Sequence, residues 1–367
     1  MTQKKFNRFL FRVDGSTKIG SGHVMRCLTI AEALKSRNVE SFFLSRKLMG
    51  NINDIITKKG FKLIELPEPS SKFLRRESEP YHSNWREVSW KQDAEETISF
   101  LKQYGFNHLV IDHYGIWEPW EKMVRKYIER ITVVDDLADR KHICDFILDQ
   151  NLNSKDQKYI DLVPNGCKLL MGSKYALVRQ EFRDYRKASL SRRKKKKTNK
   201  IMISFGGGDP KNLVPKILKS FLKNNISNDL EIDIILGPMN QNRDECYNLS
   251  NKLSNKINFF DYVDNMAKVL VDVDLVIGAA GSSSWERCCL GVPSLIFSLA
   301  NNQDEIAKNL DLLGASILLN SSDIENNKLS KMINAIIYSN ELLEMSERSS
   351  QIVDGNGVSR VVKIIND

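Results

Sequence analysis

Apolar positions along this chain follow two alternating rhythms. Phe9-Leu10-Phe11 runs into Arg12-Val13-Asp14, and a turn with Gly15, Gly20 and Gly22 follows. Val24, Cys27, Leu28, Ala31 and Leu34 then fall on one helical face. The order strand, glycine loop, helix continues downstream. Residues 41–44, 61–66, 108–112, 131–136, 143–148 and 167–171 read as strands, and residues 53–59 and 95–104 as helices. Residues 67–92 are polar and broken by Pro67, Pro69 and Pro80, which predicts a long surface excursion.

The same order restarts at residue 200. Strands are expected over 200–205, 231–236, 257–262, 275–277, 294–297 and 315–319. Helices are expected over 213–222, 243–253, 285–290, 304–313 and 325–338. Short β-rich runs alternating with helices predict an α/β fold of parallel sheets covered on both faces. The expectation is two Rossmann-like domains, residues 1–190 and 199–367, joined by a basic linker at 191–198. Ligands of such folds sit beyond the carboxyl ends of the strands and often between domains.

Composition narrows the classes. The 367 residues are 41% apolar and 28% charged, which excludes a mainly disordered chain. No apolar run approaches the roughly 18 residues of a membrane span, and the amino-terminal stretch does not read as a signal peptide. Six cysteines without a C-x-x-C pair argue against zinc-ribbon or thioredoxin chemistry and fit a reducing cytoplasm. The net charge of +9 comes largely from Arg192, Arg193 and Lys194 to Lys197. That run has no interleaved aromatics and lies at the expected linker, so it reads as solvated rather than as a nucleic-acid interface.

Candidate chemistry gathers at predicted strand ends. Gly20-Ser21-Gly22-His23 lies between a strand and a helix, where free backbone N–H groups and the helix dipole favour neutral histidine. Among only five histidines, His23 is hard to explain as core packing and suits a base, with helix capping as the structural alternative. Asp112 and Tyr114 follow an apolar strand. Asp112 suits orienting a histidine or a water, or capping a loop, and Tyr114 suits substrate contact. Asp135 and Asp136 end the next strand without a further metal-ligand set, so substrate hydroxyls or turn capping rank above a metal. Gly206-Gly207-Gly208 and Gly278-Ala279-Ala280-Gly281-Ser282-Ser283-Ser284 each open a helix and suit a phosphate. Glu286 suits a ribose diol or a helix cap, and Asn302 and Gln303 suit a diphosphate or sugar. There is no Walker A lysine, and the dinucleotide fingerprint is incomplete, so no cofactor is expected.

Together these motifs resemble a known family. FRVDGSTKIGSGHVMRCLTIAEAL, IDHYG, VVDDLADR, SKYALVRQEF, FGGGDP, GAAGSSSWERCCLGVPSL and NNQ are similar to those of the nucleotide-sugar hydrolases of pseudaminic acid biosynthesis. Those enzymes act on UDP-2,4-diacetamido-2,4,6-trideoxy-β-L-altropyranose. The resemblance runs from about residue 9 to residue 320. It implies a glycosyltransferase B (GT-B) fold, like that of the UDP-N-acetylglucosamine transferase of peptidoglycan synthesis. It also implies metal-independent hydrolysis at the anomeric carbon, giving UDP and a free sugar that passes to a nonulosonate synthase. By the same resemblance His23 is the essential histidine, Tyr114 the tyrosine of the D-H-Y-G motif, Glu286 the uridine ribose ligand and Asn302 a substrate ligand. With Asp112 as helper, the catalytic set is His23, Asp112 and Tyr114. The UDP or substrate set is Gly22, Gly207, Gly208, Gly281, Ser282, Ser283, Glu286, Asn302 and Gln303. This chain exceeds the shortest members, chiefly through residues 67–92 and the basic run. A glycosyltransferase, or a non-catalytic nucleotide-sugar binder, is the alternative.

Overall fold

The structure, a computed structural model, describes residues 7–71, 73–152, 154–195, 199–206, 209–237, 240–326 and 328–367. By internal contacts the chain divides into Met1–Leu177 with Gly357–Asp367, and Val178–Asn356.

The first unit runs β1 (Arg8–Val13), α1 (Gly22–Lys35), β2 (Glu40–Arg46), α2 (Asn53–Lys58), β3 (Lys62–Leu66), α3 (Trp90–Tyr104) and β4 (His108–Asp112). It continues through α4 (Glu118–Val124), β5 (Arg130–Val134), β6 (Phe146–Asp149) and β7 (Lys168–Met171). The strands pair in parallel in the order β3-β2-β1-β4-β5-β6-β7. Both faces are covered, which explains the uninterrupted apolar strands. Phe9, Phe11 and Val13 pack with Val24, Cys27, Leu28, Ala31 and Leu34 of α1 on one face. Leu10, Leu109 and Ile111 pack with Ile98, Leu101, Trp120 and Val124 on the other. Strand order reverses between β1 and β4, where Val13 pairs with Asp112. The loops after these strands diverge and leave a crevice at their carboxyl ends.

The second unit begins with α5 (Gln180–Arg193) and β8 (Lys200–Ser204), then α6 (Leu213–Lys223), β9 (Glu231–Ile235), α7 (Arg243–Ser250) and β10 (Ile257–Phe260). It follows with α8 (Met266–Asp272), β11 (Leu275–Ala279), α9 (Ser283–Leu290), β12 (Ser294–Phe297), α10 (Asn301–Leu312) and β13 (Ile317–Leu319). It ends with α11 (Ser321–Glu325), α12 (Lys328–Ile336) and α13 (Glu341–Ile352). Its parallel order is β10-β9-β8-β11-β12-β13, with the reversal between β8 and β11. There the backbones approach closely: a Cβ on Gly278 would stand 2.5 Å from the Ser204 carbonyl oxygen. Only glycine fits.

Three expectations are corrected. The division falls at residues 177 and 178, not at a linker over 191–198. The run's first two arginines close α5 and anchor it: Arg192 donates to Asp274 at 2.7 Å, and Arg193 donates to the Val273 and Leu270 carbonyls at 2.8 and 2.9 Å. Residues 196–198 lie outside the described residues. The last helix, α14 (Gly357–Asn366), belongs to the first unit, not to a domain of residues 199–367. Val358, Val361, Val362 and Ile365 complete the core beside α1. Finally, residues 67–92 are not all surface: a 3-10 turn, Tyr81–Arg86, buries Ser83 and Arg86.

Candidate functional site

In the first unit, β1 ends at Val13 and the chain turns tightly, with Gly20 N–H donating to the Ser16 carbonyl at 2.8 Å. Gly20 takes φ +79°, which favours glycine. Gly22 then starts α1 and places His23 in its first turn. Ser21 does not cap that helix through its side chain. Asp112 is the last residue of β4, one strand away.

His23 and Asp112 meet. His23 Nδ1 lies 2.5 Å from Asp112 Oδ1. A carboxylate can only accept, so Nδ1 carries a proton, and Nε2 is the ring nitrogen left for a ligand. Nε2 has no partner among the described residues and is not sealed from solvent. Arg26, one turn after His23, forks onto the same carboxylate, with Nε 2.5 Å from Oδ2 and a terminal nitrogen 2.8 Å from Oδ1. Its other terminal nitrogen reaches Asp136 at 2.5 Å. Burial alone would raise the Asp112 carboxyl, but the Arg26 charge, and then His23, outweigh it and hold the group well below the usual carboxylate range. Asp112 is therefore a fixed anion with both oxygens occupied.

Tyr114 is placed differently from the substrate contact expected of it. It is 2% exposed, and its hydroxyl donates to Asp136 Oδ2 at 2.7 Å. Burial, and then the Asp136 charge, push the phenol well above its ordinary range, so it stays protonated. Its ring meets His23 edge-on at 4.6 Å, so it supports the imidazole sideways. Asp135 caps its own turn, accepting from the Ala138 N–H at 2.8 Å, and pairs with Arg140 at 2.9 Å. Among the described residues, no group of three or more His, Cys, Asp or Glu side chains is arranged to hold a metal ion.

In the second unit, Gly281 precedes Ser282 at the start of α9, and Ser282 makes no side-chain cap. The Ser284 and Trp285 N–H groups donate to the Gly281 and Ser282 carbonyls at 2.9 and 3.1 Å, which leaves those of Ser282 and Ser283 without a partner among the described residues. Gln303, in the first turn of α10, packs beside this loop: its Nε2 lies 3.4 Å from where a Cβ on Gly281 would stand. Asn302 is exposed in the same turn. Glu286 sits in the first turn of α9 and accepts from Arg179 Nε at 2.9 Å. Ser283 Oγ accepts from Arg287 at 2.9 Å. Gly207 and Gly208, expected at the phosphate, lie outside the described residues.

Arg26, Arg179 and Arg287 escaped the sequence reading. Arg26 breaks the apolar run of α1 one turn after His23, and that spacing was a usable signal. Arg287 is 5% exposed, donates to the Ser283 and Ser284 hydroxyls and the Ala279 carbonyl, and has no carboxylate partner among the described residues. Burial pulls its guanidinium down to about 10.

Comparison with known proteins places this geometry in context. Residues 180–362 match the glycosyltransferase family 28 C-terminal domain, which spans nearly all of the second unit. A UDP-2,4-diacetamido-2,4,6-trideoxy-β-L-altropyranose hydrolase of Campylobacter jejuni is 29% identical over 82% of this chain and 94% of that one. An uncharacterized protein of Methanocaldococcus jannaschii is 30% identical over 77% of this chain, a match spanning 54% of that protein's length. Among solved structures, MurG of Acinetobacter baumannii superposes with a TM-score of 0.67 over 98% of this chain and 99% of that one, at 16% identity. The fold is thus that of the GT-B glycosyltransferases. Among the described residues, no helix is long and apolar enough to cross a membrane.

Proposed function

We propose that this protein hydrolyses a UDP-activated amino sugar, releasing UDP and the free sugar, with UDP-2,4-diacetamido-2,4,6-trideoxy-β-L-altropyranose as the substrate. The observation that carries the reading is His23: its Nδ1 is fixed on a buried anion while its Nε2 stays open. An imidazole held this way is built to take a proton. The Campylobacter relative, a hydrolase of that nucleotide sugar, supports the choice of substrate.

In this reading, Nε2 takes a proton from water as its oxygen attacks the anomeric carbon. The bond from that carbon to the diphosphate oxygen breaks, and its electron pair leaves with UDP. Asp112 holds the tautomer and balances the imidazolium that forms. The Ser282 and Ser283 N–H groups, with the hydroxyls of the same residues, receive the charge that grows on the diphosphate. Glu286 accepts the ribose hydroxyls, and Asn302 and Gln303 meet the diphosphate or sugar. The free sugar then becomes substrate for a nonulosonate synthase.

Transfer of the sugar to an acceptor is the second reading, favoured by the family 28 domain itself. NMR of the purified protein with the nucleotide sugar, with and without acceptors, separates the two. Hydrolysis predicts UDP and free sugar without an acceptor, and loss of both in His23→Phe with UDP binding retained. Full turnover in His23→Phe would sink the base assignment. Product formed only with an acceptor would make the protein a transferase.

A further inference from the structure

The turn Tyr81–Arg86 brings a second set of aromatic groups to His23. Trp85 stacks on Tyr114, with centroids 5.3 Å apart and planes 26° apart, and meets His23 edge-on at 5.6 Å. His82 meets Trp85 at 4.7 Å and Tyr114 at 5.5 Å. Trp85 and His82 are both half-buried, whereas Tyr114 beneath them is fully buried. His82 Nε2 is unbonded among the described residues and not sealed from solvent. Burial lowers the His82 pKa, so the ring is neutral near neutral pH.

The turn is held firmly. Arg86, fully buried, donates to the Gly115 carbonyl at 2.5 Å and lies over the Trp117 ring at 4.9 Å. Ser83 Oγ donates to the Pro80 carbonyl at 2.7 Å. The His82 carbonyl oxygen comes within 2.9 Å of where a Cβ on Gly115 would stand. A half-exposed tryptophan and an open imidazole nitrogen, fixed beside a candidate base, offer an apolar face and a polar contact with little ordering cost.

We infer that Trp85 and His82 form the sugar-facing wall of this site. Trp85 packs against the apolar face of a pyranose and its C6 group, and His82 Nε2 meets a polar ring substituent, so the two residues set sugar choice. This rests on the nucleotide-sugar reading above. The test uses the full chain with Trp85→Leu, Trp85→Phe and His82→Gln. Each variant is assayed for UDP release from two UDP-amino sugars that differ only in a methyl or hydroxymethyl at C6. Trp85→Leu and His82→Gln should lose about tenfold or more in kcat/KM for the better sugar. Trp85→Leu should also narrow the C6 preference, Trp85→Phe should restore most of it, and the inhibition constant of UDP itself should stay constant. Unchanged kcat/KM and ranking in Trp85→Leu would overturn the wall, as would an equal weakening of UDP. If the unaltered protein releases UDP from no sugar, with or without acceptors, the enzymatic reading fails. The wall is then judged by saturation-transfer NMR of UDP-N-acetylglucosamine. Loss of transfer to the sugar protons in Trp85→Leu upholds it, and undiminished transfer overturns it.

Discussion

Asp112→Asn is the sharpest perturbation of the first unit. The carboxylate is fully buried and receives one nitrogen of His23 and two of Arg26, at 2.5, 2.5 and 2.8 Å. An asparagine keeps the shape but replaces one acceptor with an N–H donor. If that amide faces Arg26, donor meets donor. If it faces His23, the imidazole must accept at Nδ1, so its proton moves to Nε2 and the base is blocked. Either way UDP release should fall by about 10³–10⁴, which is roughly 4–5.5 kcal/mol of barrier. Stability should also fall by about 3 kcal/mol, the lower end for breaking a buried pair, because Arg26 keeps Asp136. Tryptophan fluorescence in urea reads this well, since Trp85, Trp90, Trp117 and Trp120 all lie in the first unit. The pH dependence has a fixed sign. The native carboxyl is depressed below the usual range, so its stabilisation is present above the unfolded value of about 3.9 and is lost as pH falls through the native value. The gap between the unaltered protein and Asp112→Asn should therefore close in acid. Near-normal turnover in Asp112→Asn, or a stability gap that widens in acid, would refute the reasoning.

Tyr114→Phe removes a buried hydroxyl from Asp136, which still holds Arg26. Thermal unfolding should show a loss of about 1–2 kcal/mol, and turnover should fall far less than in His23→Phe. A loss of turnover equal to that of His23→Phe would make the phenol a direct participant. Glu286→Gln keeps an acceptor for Arg179 but loses the charge. Calorimetry should show UDP binding weakened about tenfold, roughly 1.4 kcal/mol, and an unchanged Kd would remove Glu286 from the ribose role.

Much of the fold was legible because parallel strands buried on both faces leave apolar runs that neither loops nor exposed helices imitate. Phe9–Val13 and His108–Asp112 were found for that reason. His23 and Asp112 were legible because glycines and charges directly after such strands have few structural uses. Helix α5 was hidden because it is anchored largely through arginines that donate to backbone carbonyls, so its sequence reads as a charge run. Helix α14 has a clear apolar period at Val358, Val361, Val362 and Ile365, but no local pattern names the sheet it will cover. Trp85 was missed because prolines and charges around it read as surface, while what matters is a long-range contact with Tyr114.

Helix α14 also sets a schedule. Residues 178–356 are synthesised after the first sheet and before the helix that covers part of it. At ordinary translation speeds that delay is roughly 10–35 s, much longer than a hairpin or helix needs to form. Throughout it, the face of α1 that will meet Val361 and Val362 stands uncovered on the ribosome. Until α14 docks, that uncovered face is open to association with other apolar surfaces, so the first unit is most exposed to misassembly in this interval.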